Sequence, residues 1–130
     1  MKYLLDANAV IALLRGHGPF LRHLRRQSPE DVGISSIVSH ELFYGAFKSR
    51  RTTINLGLVS GLPFEILPFD QDDSRRSGEI RAILALKGLA IGPYDILIAG
   101  QALSRNLTLV THNTGEFSRI EGLRLEDWEV

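Results

Sequence analysis

The chain alternates short apolar runs with longer stretches in which apolar residues recur at helical spacing. The short runs predict buried strands at residues 3–5, 32–35, 64–67, 107–111 and 123–125. The longer stretches predict helices at residues 7–15, 19–27, 36–48, 53–60, 71–87 and 93–104. Strands that alternate with helices indicate an α/β fold with a mainly parallel sheet and helices on both faces.

The predicted helix at 71–87 has the clearest periodic pattern. Its apolar residues are expected to face the core: Ile80, Ile83, Leu84 and Leu86. Its first turn is expected to be charged by a group of three carboxylates: Asp70, Asp72 and Asp73. In the helix at 36–48, Ser35 or Ser36 is expected to cap the N-terminus, and Phe43 and Phe47 fit either the core or a dimer interface.

Composition narrows the class of protein. A length of 130 residues, 44% hydrophobic and 23% charged, predicts one soluble globular domain spanning 1–130. The absence of cysteine excludes disulfides, thiolate metal sites and cysteine nucleophiles. The apolar start is interrupted at Asp6, which argues against a signal peptide, and no apolar run is long enough to span a bilayer. A cytoplasmic protein without membrane contact is therefore expected.

The charges balance overall, with 15 basic and 15 acidic residues. This gives no global electrostatic signature for nucleic acid binding. Locally, the stretch 15–51 carries seven lysines and arginines against three carboxylates. Two clusters could bind an RNA backbone or simply be solvated helix faces: Arg22, Arg25 and Arg26, and Lys48, Arg50 and Arg51.

Polar residues cluster where the predicted strands end. Asp6 directly follows the first strand, Glu41 lies in the second turn of the helix after the second strand, and Asp95 lies in the first turn of another helix. Thr111, Asn113 and Glu116 follow the strand at 107–111. Sites in open parallel sheets form beyond the carboxyl ends of the strands, so these side chains are expected to meet at one edge.

A group of carboxylates without basic partners needs a cation or protons to offset its repulsion. Hard oxygen ligands favour Mg²⁺, or else Mn²⁺, over zinc. Such an ion can activate water for the hydrolysis of a phosphodiester.

Each candidate also has a purely structural interpretation. Asp6 and Asp95 could cap their helices, Asn113 could brace a turn, and Glu116 could be an exposed loop residue. Glu41 is harder to explain in this way, because it lies in mid-helix on a stretch that should face inward. A buried carboxylate without a partner is costly.

Four segments resemble the conserved motifs of PIN domains, specifically the VapC-type toxins of type II toxin–antitoxin pairs. They are YLLDAN at 3–8, ISSIVSHELFYG at 34–45, IGPYDILIA at 91–99 and LVTHNTGEF at 109–117. Each segment is weak alone, but four in order at family-like separations are specific. The resemblance covers nearly the whole chain and implies a PIN-like three-layer α/β/α sandwich.

The resemblance also implies a role for each matching position. Asp6, Glu41 and Asp95 would form the acidic metal-binding triad, with Glu116 a better fourth ligand than Asn113. The expected supporting residues are Asn8, Ser36, Thr111 and Asn113. Ala7 stands where the family more often has Thr, so a hydroxyl near Asp6 is missing. Family members are Mg²⁺-dependent endoribonucleases that form homodimers and are neutralised by an antitoxin protein.

Two rival functions remain open. A haloacid-dehalogenase-like phosphatase also has an Asp after its first strand, but it needs a second acidic residue two positions on, where this chain has Asn8. A catalytically weak PIN fold could serve only to bind RNA or protein. The intact acidic triad argues against this second rival.

Overall fold

The computed structural model describes all of residues 1–130. The strands are β1 (Tyr3–Leu5), β2 (Val32–Ser35), β3 (Glu65–Leu67), β4 (Thr108–Val110) and β5 (Leu125–Glu126). The helices are α1 (Ala7–Leu14), α2 (Gly18–Arg25), α3 (Ser36–Lys48), α4 (Thr52–Ser60), α5 (Gln71–Leu86), α6 (Pro93–Ser104) and α7 (Thr114–Phe117). A 3₁₀ turn at Pro29–Asp31 leads into β2. The predicted elements are present, with ends shifted by one or two residues.

The five strands form one sheet in the order β3-β2-β1-β4-β5, and every neighbouring pair is parallel. The chain runs outward from β1 to β3 and then returns to the other side of β1 with β4. Because crossovers between parallel strands are right-handed, this reversal places α1 to α4 on one face and α5 to α7 on the other. The predicted three-layer α/β/α sandwich with a parallel central sheet is confirmed.

The central strands are buried on both faces, as expected for a parallel sheet. Leu4, Leu5 and Leu109 have no solvent exposure. Trp128 follows β5 and is also buried, with its ring 5.1 Å from Tyr3 in an edge-on contact. It therefore closes one end of the core. None of the helices is long and apolar enough to span a membrane.

The prediction for the buried face of α5 is partly wrong. Ile80 and Leu84 are buried, but Ile83 is 46% and Leu86 is 89% exposed. The stripe that faces the core is completed by polar residues, Asp73 and Ser77. The pattern of apolar residues does not predict this buried face, because the close packing of α5 on α6 depends on small side chains and on polar side chains that are paired.

Asp73 does more than charge the first turn of α5. It forms a capping box with Asp70 and has no solvent exposure. Burial alone raises the pKa of Asp73, but hydrogen bonds from Arg105 and Ser104 outweigh this and lower the pKa below its usual value. The Arg105 Nη2 lies 3.0 Å from its carboxylate, and the Gln101 amide also donates to it. This network joins the start of α5 to the end of α6.

The α5–α6 contact also depends on Gly100. A Cβ added at Gly100 would lie 2.5 Å from the Cβ of Ser77, whereas one added at Gly78 meets nothing within 4 Å. We expect Gly100→Ala to lower the free energy of unfolding by about 1–3 kcal/mol through overpacking. Gly78→Ala, the matched control on α5, should raise it by up to about 1 kcal/mol. Urea denaturation measures both, and equal effects of the same sign would contradict this packing.

Candidate active site

The site lies at the carboxyl ends of β1 and β4. The N–H of Asp6 donates to the carbonyl of Val110 at 3.1 Å, which extends the pairing of the two strands by one residue. The Asp6 carboxylate Oδ1 then accepts the N–H of Ala9 at 2.8 Å and caps α1. The capping interpretation is thus correct, but it is incomplete, because capping uses only part of this buried carboxylate.

The charge of Asp6 is costly where it lies. Burial, as the main cause, raises the pKa of Asp6 from 3.8 to about 6. Hydrogen bonding by the Thr111 side chain and by the Ala9 N–H opposes this rise, while the charges of Asp95 and Glu129 add to it. Asp6 therefore lies among other carboxylates and has no basic partner.

Glu41 approaches the same point from α3. Ser35 begins this helix, because its hydroxyl accepts the N–H of Ile37 at 3.0 Å. The Oε1 atom of Glu41 is buried and has no hydrogen-bond partner. Burial, followed by the charges of Asp95 and Asp6, raises the pKa of Glu41. An unpartnered carboxylate oxygen facing two further carboxylates is the strongest structural sign of a cation site.

Asp95 enters from the first turn of α6. This helix begins at Gly92, where an added Cβ would lie 3.4 Å from the Asp95 Oδ2. The absence of a side chain at Gly92 therefore leaves the approach to Asp95 open. Burial and then the charge of Glu116 raise the pKa of Asp95.

The loop after β4 contributes Asn113 and Glu116 to the site. The side-chain amide of Asn113 donates to Glu116 Oε2 at 2.8 Å, and the N–H of Asn113 donates to the Thr111 hydroxyl at 3.0 Å. Asn113 is therefore a residue that orients Glu116. This arrangement favours Glu116 as the fourth acidic group.

The other two predicted supporting residues are Ser36 and Asn8. The Ser36 hydroxyl accepts the N–H of Phe69 at 3.1 Å, so Ser36 ties the segment after β3 to the start of α3. Asn8 is exposed on the first turn of α1 and lines the clefts on both sides of that helix. Neither residue hydrogen-bonds to the acidic triad.

Sequence reasoning missed the segment after β5. His112 Nδ1 lies 2.9 Å from Asp127 Oδ2, and this hydrogen bond raises the pKa of His112. One ligand atom from each of His112, Asp127 and Glu129 lies within 4.8 Å of the others. Because β5 runs parallel to β4, the residues that follow it must reach the same edge of the sheet. Local sequence pattern does not reveal that pairing.

Comparison with known proteins places this geometry in a family. The family model for the PIN domain matches residues 3–123. The tRNA(fMet)-specific endonuclease VapC of Salmonella typhimurium is 42% identical, with 98% of each chain covered. Ribonuclease VapC2 of Rickettsia felis is 38% identical, with 99% of each chain covered.

Solved structures give the same result. DNA-bound VapBC from Salmonella typhimurium matches with a TM-score of 0.93, at 42% identity and 98% coverage of each chain. VapBC-1 from nontypeable Haemophilus influenzae matches with a TM-score of 0.90, at 30% identity and full coverage of both chains. The chain therefore belongs to the PIN domain family. Its full-length similarity to these relatives places it with the VapC-type proteins, and the resemblance seen in the sequence is confirmed.

The raised pKa of Asp6 predicts an unusual pH dependence in metal-free protein. The folded-state pKa of about 6 exceeds the ordinary value of 3.8, so folding favours the protonated form. Wild type should lose roughly 2–3 kcal/mol of stability from this group as the pH rises through 6. Asp6→Asn keeps a capping oxygen and stays neutral, so it avoids this loss.

We expect Asp6→Asn to be the more stable protein at pH 7.5 in EDTA and to match wild type below about pH 4. Urea denaturation across this range measures the difference. A difference that is constant with pH would contradict the pKa assignment. Added Mg²⁺ should narrow the gap at pH 7.5 by stabilising wild type.

Proposed function

We propose that this protein is the toxin of a type II toxin–antitoxin pair and acts as a Mg²⁺-dependent endoribonuclease. The names of its relatives support RNA as the substrate class, since they are called ribonucleases or endonucleases. Two of them, from Salmonella typhimurium and Shigella flexneri, are named tRNA(fMet)-specific. Initiator tRNA is therefore the first substrate to test.

One observation carries the metal-site proposal: the buried Glu41 Oε1 without a partner, next to Asp6 and Asp95. These residues fit a hard divalent cation, because all the donors are carboxylate oxygens and no cysteine is available. Asp6 and Asp95 would hold the ion directly, and Glu41 would complete the set. Mn²⁺ has the same ligand preference and is an expected substitute.

The proposed chemistry is hydrolysis of a phosphodiester. When bound, the cation supplies a water of lowered pKa and neutralises charge on the phosphate oxygens. Glu41 is the proposed acceptor of the water's proton, because its carboxylate belongs to the same acidic group and one of its oxygens has no hydrogen-bond partner. Glu116 is less suited to that role, since it already accepts a hydrogen bond from Asn113.

The rival functions have less support. A phosphatase of the haloacid-dehalogenase type requires a second carboxylate two positions after Asp6, and Asn8 is there instead. A pure binding module would not require three carboxylates to share an edge of the sheet without basic partners. RNA cleavage abolished by EDTA would distinguish the nuclease from both.

We expect Asp6→Asn, Asp95→Asn and Glu41→Gln each to reduce RNA cleavage by at least about a hundredfold, because each removes a charge from the metal site. Cleavage of initiator tRNA with Mg²⁺, analysed on a denaturing gel, provides the measurement. EDTA should abolish the wild-type activity, and Mn²⁺ should restore it.

Asp72→Asn is the matched control for these variants. Asp72 is an exposed carboxylate in the first turn of α5 and is separate from the acidic triad. It should cleave RNA at the wild-type rate. Equal losses in Asp72→Asn and Asp6→Asn, or undiminished cleavage by Asp6→Asn, would overturn the site assignment.

We further propose that an antitoxin binds the apolar side of α1 and α4. Leu14 and Leu58 are 39% and 48% exposed and line two adjoining clefts. One of these clefts also includes Glu41, so it leads to the acidic site. An occupant with an apolar helix and a basic side chain would match this groove in shape and charge. The VapBC complexes among the structural relatives support such a partner.

A homodimer is also proposed, on the family resemblance. Phe47 is 66% exposed on α3 beside the exposed Tyr44, so Phe47 is not a core residue. Phe43 is half-buried, so the exposure supports the interface interpretation for Phe47 alone.

Leu58→Glu tests the antitoxin groove. A charge buried at this position should weaken antitoxin binding by on the order of tenfold or more. RNA cleavage by the free toxin should remain, because Leu58 is not part of the acidic triad. Leu86→Glu is the control, since Leu86 is 89% exposed on α5. Equal antitoxin affinity of both variants, measured by calorimetry, would contradict the assignment.

A further inference from the structure

Arg15 lies where the acidic site meets solvent. It follows α1 directly and is exposed, and Asn8, Ile11 and Arg15 follow one another at helical spacing. All three line both clefts that flank α1. The first cleft includes Glu41, and the second includes His112 and Asn113 from the loop after β4. Arg15 is therefore common to both approaches to the site.

Arg15 is also a free cation. It is the only lysine or arginine that lines either cleft. Its guanidinium makes none of the ion pairs that occupy Arg76 and Arg105. The two basic clusters noted in the sequence are exposed on α2 and around the end of α3, and none of their members lines either cleft.

The second cleft is large enough to hold a phosphate with part of its nucleotide, and it is polar. Its volume is about 460 Å³, and most of its lining residues are polar. His112 contributes no net positive charge there, because the carboxylates of Asp127 and Glu129 lie beside it. The remaining histidine, His17, is hydrogen-bonded to the backbone carbonyl of Glu129 at 3.0 Å. Arg15 is thus the cation available to an anion in this cleft.

A cation in this position would favour the binding of RNA. The carboxylates of the acidic site repel the phosphates that flank the one being cleaved. A guanidinium can donate two parallel hydrogen bonds to a phosphate and remains charged at any working pH. Arg15, which is unpaired and shares the first cleft with Glu41, would offset that repulsion and help to position the strand.

We propose that Arg15 binds a backbone phosphate of the substrate RNA adjacent to the scissile one, in the cleft between α1 and the loop after β4. This inference rests on the proposed ribonuclease function and adds to it a residue that positions the substrate. Arg15 does not contact the reacting phosphate, so its contribution is to binding and register.

Steady-state cleavage provides the first test. Arg15→Gln should raise KM by on the order of tenfold and leave kcat within about twofold of wild type, because a flanking contact acts on binding. Arg15→Lys should recover part of the loss. Arg75→Gln, an exposed arginine on α5 that lines neither cleft, is the matched control and should behave as wild type. Thermal unfolding of each variant checks that the fold is retained.

Binding provides the second test and does not depend on turnover. The affinity of cleavage-deficient Asp6→Asn protein for RNA is measured in Mg²⁺ over a range of salt, with and without Arg15→Gln. The loss of one phosphate contact should reduce the slope of log K against log salt by about 0.7, the value per phosphate for a single strand. Arg75→Gln in the same background should leave the slope unchanged.

The two proposals fail in different ways. If wild type cleaves RNA, and Arg15→Gln has an unchanged KM and an unchanged salt slope, only the Arg15 assignment is overturned. If Arg15→Gln keeps its RNA affinity but loses antitoxin affinity, Arg15 serves the protein partner and the assignment is likewise overturned. If wild type does not cleave RNA but binding still depends on Arg15, the nuclease proposal fails alone. Absence of both cleavage and RNA binding overturns both.

Discussion

The structure depends on the parallel pairing of β1 with both β2 and β4. That pairing directs three carboxyl ends toward one edge of the sheet, and the chain reverses direction there, because β4 lies on the opposite side of β1 from β2. A crevice forms at such a reversal, since the crossovers leave it on opposite faces. Asp6 extends the pairing by one hydrogen bond to Val110 before the chain turns into α1. The position of the first carboxylate is therefore set by the backbone.

The site concentrates negative charge that the protein does not neutralise. Burial is the main cause of the raised pKa values of Asp6, Glu41 and Asp95, and neighbouring carboxylates add to it in each case. Such an arrangement lowers stability at neutral pH unless a cation binds. The carboxylates that the proposed function needs therefore lower the stability of the fold. The buried apolar sheet beneath them supplies stability that offsets this cost.

Much of the fold was predictable from the sequence, because the strands are short apolar runs and the helices carry caps and glycine stops. The acidic triad was predictable because strand ends in a parallel sheet converge. The buried face of α5 was not, since Asp73 and Ser77 bury there through pairing and close approach, which hydrophobic periodicity does not register. Sequence reasoning also missed that Glu129 lies close enough to Asp6 to raise its pKa. The position of Glu129 depends on which strand pairs with β5, and this long-range contact is not evident from local sequence pattern.

A comparison of Asp73 with Asp6 supports the proposed metal site. Both are buried aspartates that cap helices, and burial alone would raise the pKa of each. Arg105 and Ser104 reverse this for Asp73 and lower its pKa, which is the signature of a structural carboxylate with its partners supplied by the chain. No cationic side chain does this for Asp6, whose pKa rises to about 6. This fold therefore neutralises one buried aspartate with its own arginine and leaves the other, at the crevice, without a cationic side chain, which is the arrangement that the proposed cation from solution would complete.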